Sequence, residues 1–215
     1  MFVYMLLLLI TAFFAYLTGS ISTRRLASRF VFHRNLAQLG KGNVWLSNFQ
    51  RLFGIPGFVK LGLVEVLKAL LPILLGGAML AIKGKFEAGL AFAGFCVMMG
   101  RFWPLFNRFE GCHGCVALAV AGLVVEPSVG IAAAAVCAAG AWASKYFSLG
   151  AMLEAVVVII TSVLVVENEI AMRLLIACAA LVIVKHLPAL RRILRGREEK
   201  FSFRRDLTYK LDEKF

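Results

Sequence analysis

The residues from 40 to 51 form the stretch best equipped to hold an anion. Gly40-Lys41-Gly42-Asn43 is followed by Ser47-Asn48 and then Arg51. Glycines let successive backbone N–H groups converge into a concave nest that suits phosphate. Lys41 adds a point charge, and Arg51 adds a planar fork matched to phosphate oxygens. Asn43, Ser47 and Asn48 contribute neutral hydrogen-bonding groups. On residue types alone this is either a phosphate cradle or a basic loop with turn glycines.

Four further constellations have chemical potential. Glu65 and Lys68 sit three apart in an apolar stretch, hence on one helix face. Ionisable groups inside a span face a partner or a polar cavity, so they are either a self-neutralising pair or a lysine turned towards an anion. Arg101-Phe-Trp-Pro104 leads to Phe109-Glu-Gly-Cys-His-Gly114, where His113 can donate to phosphate when protonated or act as an acid or base near neutral pH. Cys112 and Cys115 are spaced as a C-x-x-C, which can signal thiol redox chemistry or half a zinc site. Neither a second cysteine pair nor nearby imidazoles complete such a site in the sequence. Lys185-His186, Arg191, Arg192 and Gly196-Arg-Glu198 close the last apolar stretch, either as a positive stop or as part of an anion site.

The elements that must position these groups are membrane helices. Hydrophobic residues make up 61% of the 215 and charged residues 17%, against about 45–50% and 25% in soluble domains. Mean hydropathy is +0.85. The net charge of +12 would suggest nucleic acid in a soluble protein, but here the cations cluster in a few loops and the tail. With about 20 apolar residues needed per span, spans fall near 2–23, 55–82, 86–106, 113–126, 128–144, 149–166 and 170–188. The fourth and fifth are short and meet at Glu126-Pro127, so a merged element and six spans is the alternative.

Loop charge sets the expected orientation. Residues 24–54 carry Arg24, Arg25, Arg29, Arg34, Lys41 and Arg51 without an acid, and Arg101, Arg108, Lys145 and the tail continue the pattern in alternate loops. The intervening loops hold Lys83, Lys85 and Glu87, then Glu126, then Glu167 and Glu169. This alternation predicts seven spans with the N-terminus outside and the C-terminus in the cytoplasm. Met1–Tyr16 carries no charge ahead of its apolar run, so it reads as a retained first span, not a cleaved signal. Residues 1–200 are expected to form one transmembrane domain and 201–215 a polar cytoplasmic tail.

In this order the pieces resemble the bacterial acyl-phosphate:glycerol-3-phosphate acyltransferases of the PlsY type. Residues 15–22 resemble the family's opening Gly-Ser-Ile motif, and Leu39 to Asn48 its Gly-Ser-Gly-Asn-x-Gly-Ala-Thr-Asn, with Arg51 to Gly54 as the following Arg-x-x-Gly. Glu65 to Lys68 corresponds to Asp-x-x-Lys, and Gly100 to Gly114 to Gly-His-x-x-Pro followed by Gly-Gly-Lys-Gly. Lys145 to Ser148 and Lys185 to Glu198 match the remaining motifs. Lys41 stands where the family has serine, Trp45-Leu46-Ser47 where it has Gly-Ala-Thr, Arg101 where it has histidine and His113 where it has lysine. The asparagine after the final histidine falls near Ala189. Asn43, Asn48, Arg51, Lys68, Ser148, His186 and Arg192 are retained.

The resemblance implies an all-α integral membrane protein, a bundle of about seven helices in the cytoplasmic membrane with its motif loops facing the cytoplasm. It implies transfer of a fatty acyl group from acyl phosphate to glycerol 3-phosphate, without metal or cofactor and in phospholipid biosynthesis. Arg51, Lys68, Ser148, His186 and Arg192 would grip substrate phosphate, with Lys41 and Arg101 supplying displaced charge. Asn43, Ser47, Asn48 and His113 would act at the reacting centre, with His113 also on phosphate. The alternative is a catalytically impaired or re-purposed relative that binds a phospholipid, acyl phosphate or a membrane partner. Oligomeric state is not specified by the sequence.

Overall fold

The computed structural model describes residues 2–23, 26, 46–107, 111 and 114–197, with backbone only for 46–55. Among these residues there are seven α-helices, one 3-10 turn and no strand. The helices are α1 (Phe2–Ser20), α2 (Leu46–Ala81), α3 (Phe86–Phe102), α4 (Cys115–Val125), α5 (Pro127–Ser144), α6 (Phe147–Val165) and α7 (Glu169–Leu194). A helical bundle is the form these apolar segments must take, because backbone groups in hydrocarbon have to be satisfied within the segment. Five helices are long and apolar enough to cross a bilayer: α1, Pro56–Ala81 of α2, α5, α6 and α7.

Two boundaries differ from the sequence reading. The loop expected over 24–54 ends early, because α2 begins at Leu46 and places Ser47, Asn48 and Arg51 on a helix. Leu46, Phe49 and Phe53 fall at helical spacing, an apolar stripe that the surrounding glycine, asparagine and arginine disguise. At 36 residues α2 is about 54 Å long, well beyond a hydrocarbon core of about 30 Å, so it projects past the core. The fourth element is a helix of 11 residues, about 16 Å, too short to span alone. It remains separate from α5 because Glu126 is extended and Pro127 occupies the first turn of α5. Proline there loses no helical hydrogen bond.

Small residues set the packing. α1 buries Thr11, Ala15 and Gly19 along one stripe. A side chain at Gly19 would strike the Val97 carbonyl, and one at Gly100 would strike the Tyr16 carbonyl. The α1–α3 crossing therefore depends on both glycines, as expected where no hydrophobic force separates protein from lipid. α5 and α6 meet in the same way: a Cβ at Gly150 would fall 2.5 Å from the Cys137 carbonyl oxygen. α7 ends in a Schellman motif, with Gly196 at φ +65°, Arg197 N donating to Arg192 O at 2.9 Å and Gly196 N to Ile193 O at 2.9 Å.

Candidate functional site

Seven alternating helices bring the C-terminal ends of α1, α3, α5 and α7 to one face, together with the starts of α2, α4 and α6. Cross-element bonds tie that face together, and it is basic. Lys60, Lys68, Arg101, Lys145, Lys185, Arg191, Arg192, Arg195 and Arg197 belong to it, with Glu65 as the one acid among its described residues. The far end has Lys83, Lys85 and Arg173 against Glu87, Glu126, Glu167 and Glu169. The lysine and arginine excess thus lies on one end of the bundle.

Lys68 reaches the end of α1. Its Nζ donates to the Gly19 carbonyl at 3.1 Å, to the Ile21 carbonyl and to Thr23 Oγ1 at 3.3 Å. An ammonium has three N–H donors, and these three acceptors match them. The last carbonyls of a helix lack intrahelical partners and carry partial negative charge, so Lys68 caps α1. Glu65, one turn earlier on the same face, forms an ion pair with Arg101 of α3. Thr23, which accepts from Lys68, lies beside the Glu65 carboxylate. Both partners are buried, with side chains 11% and 3% exposed. α1, α2 and α3 are thereby joined at a single ionic knot.

The end of α3 is capped in the same way. Lys185 of α7 donates to the Phe102 carbonyl at 3.2 Å, with its ammonium 4.7 Å from the centre of the Trp103 ring. The Tyr16 hydroxyl donates to the Trp103 carbonyl at 2.8 Å. Just beyond, Gly111 returns so close to the Arg101 and Phe102 carbonyls that no side chain fits there. Gly114, at φ +68°, lies against the Phe102 ring and opens α4. Only glycine adopts such a conformation without strain.

The sequence-derived site residues divide as follows. Lys68 and Arg101 come together through Glu65, with their charges turned onto protein groups. His186 is fully buried on α7, one residue from Lys185, and its Nδ1 lies 2.8 Å from the Val182 carbonyl. A carbonyl only accepts, so this contact is a hydrogen bond in the tautomer that carries its hydrogen on Nδ1. Ser148 is buried in the first turn of α6, and Arg192 is exposed near the end of α7, both at the basic face. Ser47, Asn48 and Arg51 lie on the first turns of α2 with only their backbone described. Lys41, Asn43 and His113 lie outside the described residues, as do Cys112 and the tail 201–215. Cys115 is buried, and no group of three or more His, Cys, Asp or Glu side chains suited to a metal occurs among the described residues.

Three contributors escaped the sequence reading. Tyr16 and the capping role of Lys185 depend on contacts 87 and 83 residues apart, which no local pattern reveals. Glu154 is different. It is 1% exposed in the middle of α6, facing the Cys137 thiol of α5 and the Ala119 backbone of α4. Neither contact meets hydrogen-bond geometry. An ionisable residue inside an apolar span is itself a signal, and it was there to be read.

Comparison with known proteins supplies the chemistry. A family model described as glycerol-3-phosphate acyltransferase matches residues 9–196. A protein named glycerol-3-phosphate acyltransferase 2 from Moorella thermoacetica is 32% identical over 191 residues, covering 88% of this chain and 95% of the relative. A glycerol-3-phosphate acyltransferase from Thermoanaerobacter sp. is 26% identical over 193 residues, covering 90% and 95%. Crystal structures of PlsY (YgiH), an integral membrane glycerol 3-phosphate acyltransferase, superpose with a TM-score of 0.76. The glycerol 3-phosphate form is 26% identical and covers 91% of this chain and 96% of that one. The lysophosphatidic acid form is 25% identical and covers 95% and 98%.

Proposed function

The chain belongs to the glycerol-3-phosphate acyltransferase family, and on that premise we propose that it transfers a fatty acyl group from acyl phosphate to glycerol 3-phosphate, giving lysophosphatidic acid. The glycerol hydroxyl oxygen forms a bond to the acyl carbon while the bond from that carbon to the phosphate oxygen breaks. Inorganic phosphate leaves, and the hydroxyl proton passes to a phosphate oxygen. Acyl phosphate is already activated, so no protein nucleophile is needed. The protein has to hold two anions with the hydroxyl against the acyl carbon and stabilise the charge that develops there.

The observation that carries this reading is the gathering of Lys68, Arg101, Ser148, His186 and Arg192 on one basic face whose helix ends are locked together. In the proposal Arg51, Ser148, His186 and Arg192 hold substrate phosphate, with Lys41 adding positive charge. Asn43, Ser47, Asn48 and His113 orient the reacting groups. Lys68 and Arg101 act as positioning residues, because their charged groups are committed to the end of α1 and to Glu65. The basic face is proposed to lie in the cytoplasm with the N-terminus outside, in the cell membrane, as its lysine and arginine excess favours. Residues 1–200 form the working unit and 201–215 a cytoplasmic tail.

The test uses purified protein in lipid, given palmitoyl phosphate and labelled glycerol 3-phosphate. Lysophosphatidic acid should form with the native protein and fall at least about a hundredfold with Arg51→Ala, the loss of one preorganised charge contact. Absence of product from folded native protein, with both substrates intact, overturns the proposal.

A further inference from the structure

At the far end of the bundle, remote from the basic face, lies a cleft of about 380 Å³. Its floor is Ala88 and Phe92 of α3, and its walls include Leu8 of α1 and Leu174 of α7. Both α1 and α7 pack on α3, so the cleft runs between two neighbours of one helix. Tyr4 and Arg173 are its polar lining residues, on the first turns of α1 and α7, where a helix end meets the membrane–water boundary. Arg173 is not alone: its guanidinium lies 2.5 Å from the Glu169 carboxylate, and both side chains are about 70% exposed, at 70% and 69%.

We propose that this cleft is a phospholipid site whose occupant has a phosphate and a primary ammonium in its headgroup, as in phosphatidylethanolamine. The size of the cleft lies in the range of small-ligand sites, and its lining, mostly apolar apart from Tyr4 and Arg173, suits an acyl chain. Moving an acyl chain from bilayer to cleft changes little, because lipid tails are as apolar as leucine. Selection must therefore come from the headgroup. Arg173 of the lining and its ion-pair partner Glu169 set a cation and an anion side by side, the mirror of a zwitterion. Phosphate meets Arg173 through charge-assisted hydrogen bonds, and the ammonium donates to Glu169. An exposed pair one helical turn apart contributes little by itself, so both groups can turn to the lipid at small cost. A choline headgroup carries the same charges but has no N–H to donate. A glycerol headgroup leaves Glu169 facing phosphate with no cation between them. The inference is independent of the acyltransferase reading, since none of these residues touches the basic face.

Native mass spectrometry of the full chain in detergent would measure first-lipid affinities for ethanolamine and choline phospholipids with identical chains. The expected preference for ethanolamine is about three- to fivefold, the scale of one exposed charged contact. Glu169→Gln should erase that preference, and Arg173→Gln or Leu8→Trp should weaken both lipids. Lipid held by the cations of the opposite face responds to phosphate in both headgroups and cancels in the ratio. Equal binding of the two lipids by the native protein overturns the proposal. So does a preference that survives Glu169→Gln, or affinity unchanged by Leu8→Trp.

Discussion

Removing one partner of the Glu65–Arg101 pair tests whether the ionic knot sets the bundle. The two side chains are nearly excluded from solvent, so no discount for exposure applies. Breaking such a pair from one side costs about 3–5 kcal/mol, because the remaining charge is stranded. The two sides are unequal here. After Arg101→Met, Glu65 keeps the nearby Lys68 charge and Thr23 beside it. After Glu65→Gln, the buried Arg101 guanidinium loses its carboxylate while the Lys68 charge remains in the neighbourhood. Glu65→Gln should therefore be the worse variant, near the upper end of that range, and Arg101→Met near the lower. For a chain of this size about 3–5 kcal/mol corresponds to a fall in apparent Tm on the order of 10 °C. The combined Glu65→Leu and Arg101→Met protein should recover most of the loss, since replacing both charges removes the stranded one. Cys96, Cys115 and Cys178 are buried and Cys137 half-buried, so the rise of thiol-dye labelling above the native baseline reports unfolding of the purified protein. Heating membrane proteins is often irreversible, so variants are ranked at one scan rate. A shift under about 2 °C for both single variants, or a double variant as damaged as their sum, would refute the reasoning.

Three other expectations follow from the same geometry. Gly100→Ala puts a methyl group into the Tyr16 carbonyl and 2.9 Å from the Ser20 nitrogen; both are backbone and cannot swing away, so size-exclusion profiles should show loss of folded protein, whereas Gly62→Ala, in open space, should be silent. Lys68→Met uncaps α1 and should cost about 1–3 kcal/mol, seen as a lower apparent Tm, with kcat falling more than the KM for glycerol 3-phosphate rises, as the proposed positioning role requires; a raised KM at unchanged kcat would put Lys68 on substrate phosphate instead. Glu154→Leu removes a buried carboxyl without a well-formed hydrogen bond and should leave the apparent Tm equal or higher, while Glu154→Gln should change it by less than about 1 kcal/mol equivalent; a large loss in either variant would reveal a partner that the geometry does not supply.

The elements were legible in the sequence where one physical requirement dominated. Unbroken apolar length marked α1, α6 and α7, and the alternation of loop charge marked one end of the bundle as basic. Legibility failed where two requirements competed. Glycines and arginines around 40–54 suggested a loop, while Leu46, Phe49 and Phe53 held the helical period beneath them, and the helix prevailed. The fourth span was drawn too long because its apolar residues extend α4 only to Val125, and its other end begins at Gly114, a left-handed residue that no helix passes through. The site was half legible. Motif order picked out Lys68 and Arg101, yet their partners, the end of α1 and Glu65, are tertiary neighbours, and a pattern of residue types cannot say which way a charge turns. Glu154 was visible as an acid within an apolar run and was passed over because it belongs to no motif.

The inward turn of three cations changes how the protein answers to its solution. Lys68, Lys185 and Arg101 are each matched by helix-end carbonyls or by Glu65, so their fields are spent inside the bundle. The potential that an approaching anion feels comes from outlying groups such as Arg191, Arg192, Arg195 and Arg197, which stand in water at the end of α7. Mobile ions screen exposed charges over about 8–10 Å at physiological strength and leave buried pairs almost untouched. Rising salt should therefore slow the capture of phosphate-bearing substrates while the architecture that receives them holds its shape. Capture and architecture draw on separate populations of positive charge.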